Sequence, residues 1–122
     1  MTEATTQIER LKIRPDFLAA AQAMHCARGA IVAQARARRD ETPTIRVGFT
    51  ATKRIGNAVA RNRAKRRLRA VAAAVLPLSG QERTDYVLVA RPATLNRPFD
   101  DLLKDLAAAL AAAHLKLSET KT

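Results

Sequence analysis

The sequence predicts an α+β sandwich, a mixed β-sheet with helices packed against it, in the order α-β-β-α-β-α. Three observations predict it. Stretches with alternating apolar residues are interspersed with stretches whose apolar residues recur at helical spacing. Glycine, proline and charged clusters punctuate the boundaries between them. At 122 residues the chain suits one domain, able to bury a modest core without metal or disulfide support.

The elements follow in order. Residues 1–9 are polar and Thr-rich and read as a flexible tail. Pro15 and Asp16 open a helix running to Met24, since proline suits a first helical turn and a carboxylate suits the positive end of the helix dipole. A further short strand near Cys26 is compatible with the pattern. Residues 31–37, led by Ile31 and Val32, form a strand, and 38–43 a charged loop. In 45–52, Ile45, Val47, Phe49 and Ala51 alternate with Arg46, Gly48 and Thr50, a half-buried strand. The two strands together suggest an antiparallel hairpin with a long turn. Asn57 is an N-cap residue type, because its side chain can accept an orphan N–H of a first turn. The helix that it opens is expected to end before Pro77. Tyr86-Val87-Leu88-Val89 marks a buried strand over 85–91. A last helix starts at Pro98 or Phe99, with Asp100 and Asp101 in its first turn. Leu103, Leu106, Ala107, Leu110, Ala113, His114 and Leu117 form its apolar stripe. The domain is expected over 10–117, with 118–122 a second flexible tail.

Aromatics are 3% of the chain, so the core must come from Leu, Ile, Val and Ala, with Phe17, Phe49, Tyr86 and Phe99 as its few large anchors. Charge is more telling. There are 22 Lys and Arg against 11 Asp and Glu, a net charge of +11. That excess repels itself in a compact fold, and a polyanionic partner relieves it. Cys26 is the one cysteine, which excludes an intramolecular disulfide and a cysteine-based zinc cluster and suits the cytoplasm. No segment resembles a signal peptide or a membrane span.

The charge concentrates on one helix. Residues 53–69 hold eight bases, Lys53, Arg54, Arg61, Arg63, Lys65, Arg66, Arg67 and Arg69, and no acid. On a helical projection Ala64, Leu68, Val71, Ala72 and Val75 gather on one arc that can dock on a sheet. The bases spread over the remaining circumference. An ordinary solvated face intersperses the two signs, whereas Arg61–Lys65–Arg69 and Arg63–Arg67 are like-charged i,i+4 neighbours, each costing about 0.2–0.5 kcal/mol. Arginine dominates, and its planar fork grips phosphate and stacks on bases. Asn57 and Asn62 add amides that can read base edges or sugar hydroxyls. The apolar arc is small, lacks aromatics and is needed for the core, which argues against a membrane-surface helix. The helix follows a strand and a glycine loop, not a helix and a tight turn, which argues against helix-turn-helix binding of DNA. RNA is the expected partner.

The segment RVGFTATKRIGNAVARNRAKRRLR, residues 46–69, closely resembles the signature of the bacterial ribonuclease P protein subunit. There an "RVGF/L" strand leads through "K-K/R-x-G-N-A-V" into an "R-N-R-x-K-R" helix. Arg10-Leu11-Lys12 with Asp16-Phe17 is similar to that family's N-terminal segment, and residues 85–91 are similar to its following strand. The resemblance implies a fold with a left-handed β-α-β crossover around the basic helix. It implies an endoribonuclease subunit that binds a catalytic RNA and the 5′ leader of precursor tRNA, the Mg²⁺ ions and the hydrolysis belonging to the RNA. By the same resemblance, Arg61, Asn62, Arg63, Lys65, Arg66 and Arg67 contact the RNA, and Lys53 and Arg54 extend that surface, with Asn57 and Arg69 grouped beside them. Phe17, Arg28 and Val32 fall to the leader cleft. Positions often aromatic in the family's cleft are here Ala21 and Ala30 or Ile31, so weaker or aliphatic leader contacts are expected.

The remaining chemistry is sparse. His25 and His114 lack ligand neighbours in sequence, and His114 sits on an apolar stripe. Asp100 and Asp101 are adjacent in a helical first turn and point apart. No catalytic residue and no metal ligand is assigned to the protein itself. The alternatives at this level are a non-catalytic RNA-binding or ribosome-associated module and a self-sufficient nuclease.

Overall fold

A computed structural model describes residues 7–38 and 40–119. The strands are β1 (Ile8–Arg10), β2 (His25–Arg28), β3 (Ile31–Ala37), β4 (Ile45–Thr50) and β5 (Thr84–Ala90). The helices are α1 (Arg14–Ala23), α2 (Ala58–Ser79) and α3 (Phe99–Glu119), with short 3₁₀ turns at Lys53–Ile55 and Pro92–Leu95. The strands form one mixed sheet in the order β1-β4-β5-β3-β2. β5 runs parallel to β4 and antiparallel to β3. The α+β sandwich with a mixed sheet is therefore present, and the strand near Cys26 is β2.

The register sorts side chains onto two faces. Ile45 and Val47, Tyr86, Leu88 and Ala90, and Ile31, Ala33 and Ala35 share one face, which α2 and α3 cover to build the main core. Arg46, Gly48 and Thr50, Asp85, Val87 and Val89, and Val32, Gln34 and Arg36 share the other face, where α1 packs through a small cluster of Leu11, Ala20 and Val87 with Phe17 against it. α1 covers only part of that face.

Several expectations change. Residues 31–37 and 45–50 do not pair as a hairpin. β5 lies between them, because it is the most deeply buried strand and takes the centre of the sheet. Ile8 and Glu9, assigned to a tail, form β1 with Arg10, parallel to β4. Residues 1–6 of that tail lie outside the described residues. At the other end α3 runs through Ser118 to Glu119, and 120–122 lie outside the described residues. α2 does not stop before Pro77 but continues to Ser79. The proline sits in the last turn on the exposed side, where the lost N–H costs one bond, and the Gly80 N–H then closes on the Leu76 carbonyl at 2.8 Å.

In α3 the stripe is rotated slightly. Leu102, Leu106, Ala109, Leu110, Ala113 and Leu117 are buried, while Ala107 is exposed. Phe99 is 40% exposed and is no core anchor, leaving Tyr86 as the one fully buried aromatic ring.

A buried ion cluster ties the strands together. Asp85, fully buried, accepts from Arg38 Nη1 at 2.8 Å and from Arg46 Nε and Nη2 at 2.8 and 2.7 Å. Arg38 also donates to the Thr42 and Thr44 carbonyls at 2.7 Å, which pins the β3–β4 connection. At the opposite end of the sheet Gly29 turns with φ 55°, and a Cβ there would collide with the Asp105 carboxylate. Asp105 in turn accepts the Ala30 N–H at 3.0 Å. Glycine is required at position 29 for both reasons.

Candidate nucleic-acid interface

α2 begins where its sequence says it should. Asn57 has extended backbone angles, and its Oδ1 accepts the Ala60 N–H at 3.0 Å. Ala64, Leu68, Val71, Ala72, Val75 and Leu76 are buried against the sheet and α3. That docking fixes the rotation of the helix and decides what each base does.

Asn62, Arg63, Arg66 and Arg69 are exposed on the outer side. Arg61 and Lys65 are half-buried along one flank. Lys53 and Arg54 stand exposed on the 3₁₀ turn just before Asn57. Among the described residues none of these bases is in an ion pair. Their charge is uncompensated by the protein.

Arg67 differs. It lies on the flank facing the β5–α3 connection, and its guanidinium donates to three carbonyls: Thr94 at 2.8 Å, Leu95 at 2.8 Å and Arg97 at 2.6 Å. These carbonyls close the 3₁₀ turn Pro92–Leu95, whose end carries partial negative charge. Arg67 thereby clamps α2 to that turn, and most of its donors are spent within the fold.

On the α1 side of the sheet an open groove is lined by Phe17, Leu18, Ala21, Gln34, Thr50 and Val89, with Lys12 and Arg14 at its rim. The Phe17 ring lies directly over Gly48. A Cβ on Gly48 would come within 2.5 Å of the ring, so glycine in β4 makes room for the aromatic platform. Through Thr52 and Val89 the groove continues into a second stretch lined by Ala27, Val32, Lys53, Arg54 and Arg91. The groove therefore reaches the 3₁₀ turn that precedes α2.

Phe17 and Val32 both line this groove. Arg28 does not. It pairs with Ile31, whose side chain points into the main core, so it projects from the opposite face at the sheet's edge, donating to the Ala27 carbonyl at 2.7 Å. The cleft's cations are instead Lys12, Arg14, Arg91, Lys53 and Arg54. Lys12, Arg14, Gln34, Thr50, Thr52 and Arg91 were not picked out from sequence. For Gln34 and Thr50 the signal was available: each lies two residues from Val32 or Gly48 on its strand, hence on the same face.

The chain is similar to known proteins in sequence and in fold. The family model described as Ribonuclease P matches residues 6–114. The ribonuclease P protein component of Caulobacter vibrioides is 54% identical over 125 residues, covering 99% of this chain and 84% of that protein. That of Ruegeria pomeroyi is 53% identical, covering 91% of this chain and 90% of the other. Among solved structures, the Staphylococcus aureus RNase P protein superposes with a TM-score of 0.69 at 24% identity, over 91% of this chain and 96% of that one. The Thermotoga maritima protein gives a TM-score of 0.69 at 22% identity, over 83% of this chain and 94% of that one, which establishes a shared fold. By the extent of its family match and of its curated relatives, this chain belongs to the ribonuclease P protein family.

Proposed function

We propose that this chain, as the protein subunit of ribonuclease P, binds the catalytic RNA across the outer side of α2. The same reading places the 5′ leader of precursor tRNA in the α1 groove and the complex in the cytoplasm. One observation carries it: beside the exposed, unpaired bases of α2, the turn that leads into the helix sets Lys53 and Arg54 along a groove floored by Phe17, Val32 and Val89. Arginines neutralise phosphates of a folded RNA, and a half-buried ring offers a base somewhere to stack.

The described residues hold no cluster of three His, Cys, Asp or Glu that could take a metal ion. In this reading Mg²⁺ and the hydrolysis belong to the RNA. Its own residues bind, align and neutralise. Holding the leader favours precursor over mature tRNA, because only the precursor fills the groove. The test incubates precursor tRNA with protein alone, with the cognate catalytic RNA alone at low Mg²⁺, and with both. Cleavage in the mixture only supports the reading. No stimulation by the protein, or cleavage by protein alone, overturns it.

A further inference from the structure

A second groove lies on the other face of the sheet, between β1 and α2. The register of β1 with β4 sets Ile8 opposite Ile45 and Arg10 opposite Val47, so Ile8 and Arg10 face the α2 side. α2 does not close over this outer strand. The space left is about 380 Å³, walled by Ile8, Arg10, Phe49, Arg69, Ala72 and Leu76. Its walls are almost all carbon, and Phe49 contributes an aromatic ring that is only partly buried. The Arg10 guanidinium lies 6.0 Å from the centre of that ring. Arg69 stands on the helix wall opposite. Among the described residues neither arginine has a carboxylate partner. Glu9, the acid at the rim, is in register with Arg46 and projects to the opposite face.

An apolar side chain entering this groove would leave Arg69 without a role. An acidic side chain would leave the ring without one. A nucleobase with its phosphate uses all three: the ring and guanidinium offer stacking surfaces, and the second guanidinium a phosphate ligand. Arg69 also continues the exposed row of Arg63 and Arg66, so RNA lying along α2 passes the mouth of the groove. We propose that the groove between β1 and α2 receives an unpaired base of the bound RNA, stacked against Phe49 and Arg10, with Arg69 on the adjoining phosphate. This rests on reading α2 as the RNA face.

The test uses the full chain with labelled Ile, Leu and Val methyls, titrated with single-stranded octaadenylate and with a blunt 12-base-pair RNA duplex. The Ile8 and Leu76 methyls are expected to shift and saturate with octaadenylate but not with the duplex. Their apparent Kd should rise about 5- to 150-fold in Phe49→Leu, the range for losing one stacked base, and also rise in Arg10→Ala. Val87 and Val89, in the α1 groove, should keep theirs. Ile8 and Leu76 unmoved while Val89 shifts would overturn the proposal, as would equal shifts with the duplex, which need phosphate alone. Methyls that respond to deletion of residues 1–6 and not to RNA would assign the groove to the chain's own N-terminus, and overturn it too. Binding of the catalytic RNA by Arg63→Ala and Arg66→Ala separates the two readings. If these variants still bind weakly while the groove stays silent, the groove proposal alone has failed.

Discussion

Arg66 and Arg67 are adjacent bases with opposite expected fates, and replacing each by alanine tests the RNA face directly. Arg66 is exposed at the middle of the outer side of α2, whereas Arg67 donates to the Thr94, Leu95 and Arg97 carbonyls. Lys53, Arg54, Arg61, Arg63, Lys65, Arg66 and Arg69 are the seven bases on or beside α2 left for phosphates. If about six of them are used, log K for the catalytic RNA falls with log salt at a slope of roughly −4 to −5. Arg66→Ala should flatten that slope by about 0.7–0.9, equivalent to about sixfold in affinity at 0.1 M salt relative to 1 M. Its melting temperature should stay within about 2 °C, since surface substitutions are worth about 0.5 kcal/mol or less. Arg67→Ala strips three carbonyls of a charged donor in a partly buried site and should cost about 2 kcal/mol. At about 3–5 °C per kcal/mol for a chain of this size, that is a drop of about 6–10 °C, with the salt slope nearly unchanged. Filter binding across a salt series and thermal melts of both variants decide it. A large melting loss in Arg66→Ala, or a slope change in Arg67→Ala matching that of Arg66→Ala, would refute the division of labour.

Other perturbations have equally definite outcomes. Gly48→Ala should push the Phe17 ring off the sheet at a cost of about 1–3 kcal/mol and reduce the preference for precursor over mature tRNA, measured as a ratio of affinities; an unchanged ratio would remove Phe17 from leader binding. Asp85→Asn should destabilise by about 3 kcal/mol, because Arg38 and Arg46 lose their shared carboxylate; a denaturant midpoint near that of the parent chain would contradict it. His114 Nε2 shares a 2.6 Å hydrogen bond with the Tyr86 hydroxyl, which also accepts the Gln81 N–H, and burial lowers the pKa of the imidazole below its ordinary 6.5. The unfolded chain then binds the proton more readily than the folded one, so this stability is complete above pH 6.5 and is lost as pH falls below it. His114→Gln should remove that part of the slope between pH 7 and 5, read as melting temperature against pH.

Much of the surface was legible because charge patterning and capping are local. The Asn57 cap, the apolar arc of α2 and the excess of unpaired bases depend on residues within a few turns of one another. The alternation in 45–50 and the run Tyr86-Val87-Leu88-Val89 likewise read directly as strands. β1 was missed since its three residues are all exposed, and its order comes from pairing with β4 alone. The hairpin expectation failed for a related reason: adjacency in sequence carries no information about a third strand inserting between two others.

The sequence by itself determined that one helix would present a dense basic face and dock through a narrow apolar arc, because both follow from 3.6-residue periodicity. It also placed Gly48 within a strand. Only the tertiary structure decided what lies over that glycine, the ring of Phe17 from α1. Only it decided that Arg67 would turn inward to cap a distant 3₁₀ turn while Arg66, one residue earlier, stayed free. Helical periodicity places the two about 100° apart. Which of those directions meets carbonyls and which meets solvent depends on where the β5–α3 connection passes, and that is set by packing between segments about 27 to 30 residues apart.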